Sequence, residues 1–428
     1  MAGYGRVDTD DPCRVCREGR VLVKLVKSSA LLWTYASFIL KGFSFFMIAP
    51  IAARNLGEDE WSKVLIAQAL ANWMSIIVDY GYNLSYGSKS YQEGDEINEV
   101  ASGIFLSRIL ISAFVVFLIL LLGILNVFDF DIFFLISITL LSVGQGFSNT
   151  WFFQSHSRME TISKIDVLFR VISLITVYVV IKLDGPGWSI IGVVGASLII
   201  SNLFSGHLMI KTTGKLHLNI RRSLSLMRIG AGAAFFVAFT SIYTNAALVM
   251  YSFSASNREI AVYGNADRLF RAMSSLLSPL NQVIMPKSVD IIQSGGPIKL
   301  KYYARISLVY LFFSMILIIP SIIFSDAIIE TLFGKDYQES SEILKYLSVG
   351  VVMISFNTVI AYHIMIVRGY IEALNIVYVA TSVLFVASSI FIVRSSGIKG
   401  MVISTLLPEV VALVLLVVYV AKHRKKIL

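Results

Sequence analysis

Apolar runs of about 20 residues recur along this chain, separated by short polar breaks, and that spacing sets the architecture. A helix rises about 1.5 Å per residue, so about 20 apolar residues are needed to cross a hydrocarbon layer roughly 30 Å thick. The pattern predicts spans at Ser29–Pro50, Val64–Tyr86, Ala101–Leu125, Ile132–Phe153, Ile162–Lys182, Ser189–Ile210, Leu224–Tyr251, Glu259–Met285, Tyr303–Phe324, Ile343–Val367, Ile371–Val393 and Met401–Ala421. The fold class is therefore an all-α polytopic membrane protein with about twelve transmembrane helices. No predicted loop between spans exceeds about 20 residues, which leaves no extramembrane domain to house soluble catalysis.

Basic residues sort to one side of these spans. Lys and Arg number 21 in the terminal segments and the loops on their side, and 7 in the loops opposite (Arg54, Lys63, Lys182, Arg258, Lys335, Arg394 and Lys399). By the positive-inside rule both termini lie in the cytoplasm, as an even number of spans requires. The densest basic connection, Lys211 to Arg228, follows the sixth span and divides the helices six and six. Both halves then enter from the same side, so any internal repeat is parallel, and two six-helix lobes around a central cavity follow. Gly57-Glu58 with Ala67 before the second span is faintly echoed by Arg258-Glu259 with Ala266 at the eighth. The expected division is a tail over 1–28, a lobe over 29–210, a basic linker over 211–223, a lobe over 224–421 and a basic tail over 422–428.

Composition agrees with the pattern. The 428 residues are 56% hydrophobic and 15% charged, against roughly 25% charged in soluble domains. The net charge of +9 raises the question of nucleic acid, but the basic residues sit in loops between apolar spans and form no stripe or recognition helix. Nucleic acid is set aside. Met1–Arg20 is polar and the first apolar run is long enough to span, so that run is expected to act as its own insertion signal. Cys13 and Cys16 stand at CxxC spacing in this polar tail, without the further ligands of a zinc site or the βαβ setting of a redox site. No metal and no cofactor are expected.

Ionisable residues inside spans cost roughly 2.5–3.5 kcal/mol each at a helix centre on insertion scales, so by default they face a wet cavity or a partner. The sequence places Lys41, Asp79, Arg170, Asp267, Arg268, Arg271 and His363 there. The eighth span is the most polar: Asn265, Arg268, Arg271, Ser275, Ser278 and Gln282 recur every three to four residues, along one helix face. Two guanidiniums on such a stripe suit an anion, since the planar fork of arginine binds phosphate oxygens in pairs and keeps its charge. A polyprenyl diphosphate head fits, held by Lys41, Arg170, Arg268 and Arg271. The plainer alternatives are that Asp267 pairs with Arg271 at four residues' spacing while Arg268 snorkels, and that Lys41 pairs with Asp79. Asn72, Asn149, Asn245 and Gln282 are candidates to meet sugar from within the spans, and Asp79 and Asp267 are candidates for coupling to an ion gradient. His363, near a helix end, reads as structural.

Enzyme signals are weak. Asp129-Phe130-Asp131 has the DxD form of metal and nucleotide-sugar sites, but the orientation puts it on the periplasmic side, and it reads as a solvated turn; Asp8-Thr9-Asp10 lies alone in the tail. No Ser/His/Asp set, HExxH or Walker loop appears, so no catalytic residue is expected and the chain reads as a non-enzyme.

Several segments carry a resemblance: Ala49-Pro50-Ile51-Ala52-Ala53-Arg54-Asn55-Leu56-Gly57-Glu58, Asp79-Tyr80-Gly81-Tyr82-Asn83, Trp151-Phe152-Phe153-Gln154, Tyr263-Gly264-Asn265-Ala266-Asp267 with Pro286, and Leu332-Phe333-Gly334-Lys335-Asp336-Tyr337. From Ser28 onward the chain resembles the bacterial polysaccharide-transporter family, which holds the O-antigen flippases within the multidrug/oligosaccharidyl-lipid/polysaccharide exporter superfamily. It departs from the family in the Arg-rich tail before Ser28 and in Ser155-His156, where a Gly-Leu pair is common. The resemblance implies two lobes about a V-shaped cavity in the bacterial inner membrane. It also implies passage of undecaprenyl-diphosphate-linked O-antigen repeat units from cytoplasm to periplasm by alternating access, with an O-antigen polymerase and a chain-length regulator as partners beside membrane lipid. The alternatives are a multidrug-type, cation-coupled exporter of the same superfamily, whose cavity would favour acidic and aromatic residues, and an O-antigen polymerase, which usually carries a large periplasmic loop.

Overall fold

The computed structural model describes residues 28–87, 95–156, 158–214, 217, 219–278, 280, 281, 284, 285, 288, 291 and 300–423. The tail with Cys13 and Cys16, Gln282, Pro286 and the residues after His423 lie outside the described residues. Among the described residues every regular element is helical.

Seven of the helices are long and apolar enough to cross a membrane by length and composition. Two of the seven, Ser28–Asp79 and Ile371–Lys422, are pairs of helices that turn back at Gly57 (φ 75°) and Gly397 (φ 54°). A left-handed backbone is nearly free for glycine and strained for other residues, so these positions convert continuous helix into tight hairpins. Met159–Lys182, Ile220–Asn245 and Asn257–Ser275 add three helices of crossing length whose polar content hides them from an apolar measure. The result is the all-helical bundle of about twelve crossings that the hydrophobic pattern predicts.

Helix ends follow local chemistry. Ser256 opens Asn257–Ser275 with a capping box: its hydroxyl accepts from the Glu259 amide at 3.3 Å, and the Glu259 carboxylate accepts from the Ser256 amide at 2.9 Å. Asp131 caps Ile132–Gly146 by accepting from the Phe134 amide at 2.8 Å, and Asp129 pairs with Lys63 at 2.7 Å. The DxD pattern is thus a helix cap and an ion pair. The eighth span, predicted over Glu259–Met285, is interrupted by a turn at Leu276, and the described residues from Leu277 to Met285 are again helical. The tenth continues from Ser340–Thr358 into a π-helical turn, Val359–Met365. That turn presents His363, buried, to Ser288 Oγ at 2.9 Å and Tyr310 OH at 3.1 Å, a satisfied packing role.

Packing between spans relies on small residues, which let backbones approach where hydrocarbon gives helices little reason to associate. A Cβ at Gly195 would lie 2.5 Å from the Leu141 amide nitrogen, and one at Gly146 would lie 2.6 Å from the Ser75 carbonyl oxygen. At the end of the bundle opposite the termini the two halves are stitched together. Arg54 donates to the carbonyls of Glu330 and Leu332 at 3.0 and 3.1 Å and also to that of Thr331. Arg258 pairs with Glu58 and with Glu339 at 3.1 Å, and Asn257 donates to Asp59 at 3.0 Å. Deeper in the bundle, Leu65 of the second span packs against Gly264 of the eighth.

Candidate functional site

Directly below that contact the second and eighth spans part around a cavity of about 250 Å³ lined by Gly42, Gln68, Asn72, Asp267, Arg268 and Arg271, among others. Its first wall is N-terminal half and its second C-terminal half. Gly42 matters to its width: a Cβ there would come within 3.7 Å of Ser275 Oγ across the gap. Arg268 donates from Nη2 to Gln68 Oε1 at 2.6 Å, and its guanidinium lies 5.0 Å from the centroid of the Trp61 ring. Trp61 is fully buried and is itself held by a 3.0 Å bond from Nε1 to Asn265 Oδ1. Arg271 donates from Nε to Asp267 Oδ2 at 2.6 Å; Asp267 is 2% exposed and its second oxygen has no hydrogen-bond partner. Two guanidiniums and the Asp267 carboxylate thus stand together at the edge of a space with low-dielectric walls, where charges are poorly screened.

Lys41 and Arg170 come together as a second basic group. Lys41 precedes Gly42 on the first span, so its side chain leaves by a different face of the helix. There it lies within electrostatic reach of Arg170, Asp166 and Asp79. Asp166 accepts from Ser201 Oγ at 3.4 Å. The four basic residues thus flank the first span as two pairs: Arg268 and Arg271 between the halves, Lys41 and Arg170 within the first half.

Asp79 does not form the ion pair with Lys41 that the sequence allowed. It pairs at 2.8 Å with Arg108, which is 1% exposed and also donates to the Ser148 carbonyl at 2.6 Å. Arg108, Asp166 and Glu409 were not singled out from the sequence. Arg108 and Glu409 are each a single charge inside an apolar run (Phe105-Leu106-Ser107-Arg108-Ile109-Leu110 is typical), and that isolation marks them; Asp166 lies between Lys164 and Arg170 near the start of its span.

The amide candidates separate. Asn72 lines the basic cavity. Asn149 does not: it donates to the Asn202 carbonyl and to Ser205 Oγ, both at 3.0 Å, beside an apolar cavity of about 400 Å³ lined by Phe105, Phe147 and Leu203 within the first half. Asn245 ends the helix Ile220–Asn245, with its side chain outside the described residues, as is all of Gln282. Past Arg271 and Ser275, which line both, the basic cavity meets another of about 420 Å³ inside the second half. Among the described residues no group of three or more His, Cys, Asp or Glu is placed to hold a metal.

Paired helical lobes about a charged central cavity define the class, a polytopic membrane protein with a transporter fold. Residues 27–292 match the family described as "Polysaccharide biosynthesis protein", and the chain belongs to that family. Among curated relatives it is 25% identical over 386 residues to a "Putative O-antigen transporter" of Shigella dysenteriae, covering 87% of this chain and 95% of that one. It is 22% identical over 351 residues to a protein of the same name in Escherichia coli strain K12, covering 77% and 81%. Among solved structures it is similar to the lipid II flippase MurJ in an inward closed conformation, with a TM-score of 0.70 at 15% identity, covering 92% and 87%. It is also similar to a multidrug resistance transporter of the MATE family and MOP superfamily in its outward-facing conformation, with a TM-score of 0.51 at 11% identity, covering 93% and 96%.

Proposed function

We propose that the chain is a flippase that moves undecaprenyl-diphosphate-linked O-antigen repeat units from the cytoplasmic to the periplasmic face of the bacterial inner membrane by alternating access. The observation that carries this reading is the pair Arg268 and Arg271 in the cavity between the lobes. The names of the curated relatives and the fold shared with a lipid flippase support it. The asymmetry of Lys and Arg puts the termini in the cytoplasm, so the stitched end faces the periplasm and closes the cavity from that side.

In this state Arg268 gives its bond to a neutral amide, Gln68, across the lobe boundary. A phosphate oxygen is a better acceptor, because it carries charge itself and phosphate can take the donors of the planar guanidinium in pairs. An arriving diphosphate takes Arg268 from Gln68, and the contact between lobes loosens as the substrate binds. Lys41 and Arg170 attract the same head from the other side of the first span. Of the two carboxylates suited to ion coupling, Asp267 is the better placed, since it lines the cavity and holds Arg271, whereas Asp79 is tied to Arg108. The flipped unit then passes to the O-antigen polymerase and its chain-length regulator.

A multidrug exporter shares the fold, and charge decides between the two. A site for organic cations needs acidic or aromatic walls, and here the cavity between the lobes presents two guanidiniums beside Asp267, with Glu409 confined to the adjoining cavity of the second lobe. The test is silver-stained lipopolysaccharide, with lipid-linked intermediates assayed in membranes, from a strain lacking this gene and from one carrying Arg268→Ala. Loss of the ladder with complete repeat units gathering on undecaprenyl diphosphate at the cytoplasmic face is expected. An unchanged ladder in both strains refutes the assignment, and a single repeat unit still reaching the core points to a polymerase.

A further inference from the structure

We infer that the cavity inside the second lobe holds the sugar residue joined to the diphosphate, and that Glu409 and Asn357 bind its hydroxyl groups. This rests on the flippase reading, which supplies a diphosphate at Arg268 and Arg271. The cavity of about 420 Å³ has the size of a ligand site, roughly 300–1,000 Å³. It shares Arg271 and Ser275 with the basic cavity, so a group bonded to a phosphate held by Arg271 projects into it.

Its lining is unlike the rest of the interior. Glu409 sits in the twelfth span beside Pro408, 8% exposed, and its Oε2 accepts from Asn357 Nδ2 at 2.8 Å. Asn357, 5% exposed, also donates to the Glu409 carbonyl at 3.1 Å, while its own Oδ1 has no hydrogen-bond partner. Arg271, within electrostatic reach of Glu409, gives its ion pair to Asp267 instead. A carboxylate and an orphaned amide oxygen inside a membrane span are expensive unless something donates to them. Vicinal sugar hydroxyls are such donors, and a carboxylate can accept two at once. Tyr362, Tyr378 and Phe270 supply apolar faces for the C–H side of a sugar ring, and Thr358 and Thr405 complete a polar rim.

The sign of Glu409 also selects. A neutral or amino sugar next to the diphosphate gains a charge-assisted bond, whereas a uronic acid meets a like charge in a poorly screened space. Glu409 is thus assigned a choice of first sugar, and the arginines a tolerance of any sugar on a diphosphate.

The full chain in lipid nanodiscs tests this with three probes: farnesyl diphosphate, the same lipid carrying N-acetylglucosamine, and the same lipid carrying glucuronic acid. N-acetylglucosamine should raise affinity about tenfold over the bare diphosphate, the worth of one hydrogen bond to a charged group, and glucuronic acid should not. Glu409→Gln should erase that increment and close the gap between the two sugars, with thermal unfolding confirming the fold. Tyr362→Ala, at a side chain 37% exposed, should reduce the increment independently. An increment unchanged in both variants overturns the inference, as does loss of export in Glu409→Gln with sugar binding intact, which would make Glu409 a coupling group. Failure of the wild-type chain to bind farnesyl diphosphate at all overturns the flippase reading, and this one with it.

Discussion

The two arginines of the basic cavity should respond differently to removal, because their partners differ in charge. Arg271→Gln leaves Asp267, 2% exposed, without its ion-pair partner, with Arg268 as the nearby charge that remains. Stranding one partner of a buried ion pair costs about 3–5 kcal/mol. Arg271 is 32% exposed to the cavity, which places the loss near the lower end, about 3 kcal/mol. Arg268→Gln leaves Asp267 its pair with Arg271 and forfeits a bond from a charged donor to Gln68, about 1.5 kcal/mol, and a contact with the Trp61 face, roughly 0.5 kcal/mol. Thermal and denaturant unfolding of the purified protein should therefore rank Arg271→Gln clearly below Arg268→Gln. Asp267→Asn combined with Arg271→Gln should be more stable than the sum of the single losses predicts, by about 2 kcal/mol or more. Single losses that add to within about 0.5 kcal/mol, or equal stability of the two arginine variants, would refute the reasoning. The contrast has a practical use, since Arg268→Gln then separates substrate binding from folding and Arg271→Gln confounds them.

Other consequences can be checked alongside. Asp79→Asn should destabilise the chain by about 3–5 kcal/mol, because Arg108 beneath it is 1% exposed, and Arg108→Met in the same chain should recover most of the loss; export by that double variant would remove Asp79 from the coupling candidates. Gly195→Ala should cost about 1–3 kcal/mol in unfolding, since the new Cβ would sit 2.5 Å from the Leu141 nitrogen and must push two spans apart. In a chain with Cys13 and Cys16 replaced by Ser, a cysteine placed at Ala53, 3% exposed, should resist a membrane-impermeant maleimide added to the periplasmic face. Adding Arg54→Ala and Arg258→Ala, which cut the bonds stitching that end, should speed its labelling about tenfold for each 1.4 kcal/mol of closure lost; an unchanged rate would show that these arginines do not hold the lobes together.

The approximate number of the helices was legible because the bilayer imposes a fixed length on each apolar run. Hydrophobic length also located the one span rich in charge, and the spacing of Arg268 and Arg271 announced a shared face. Side-chain pairing was not legible. Lys41 and Asp79 were as reasonable a couple as Asp79 and Arg108, since sequence carries no measure of which helices lie side by side. Asn149 had the same credentials as Asn72, yet its bonds to Asn202 and Ser205 keep it in a different cavity.

By itself, the sequence determined a membrane bundle and its approximate count of crossings, and it marked the span on which basic residues gather, because these depend on composition along a line. Only the tertiary structure decided that Arg268 reaches across to Gln68, that Arg108 and not Lys41 neutralises Asp79, and that Glu409, one acid in an apolar run, closes a second cavity with Asn357. Those are contacts between residues 29, 52 and 200 positions apart, and in a low dielectric it is the nearest charge in space, whatever its distance along the chain, that decides what a buried group can do.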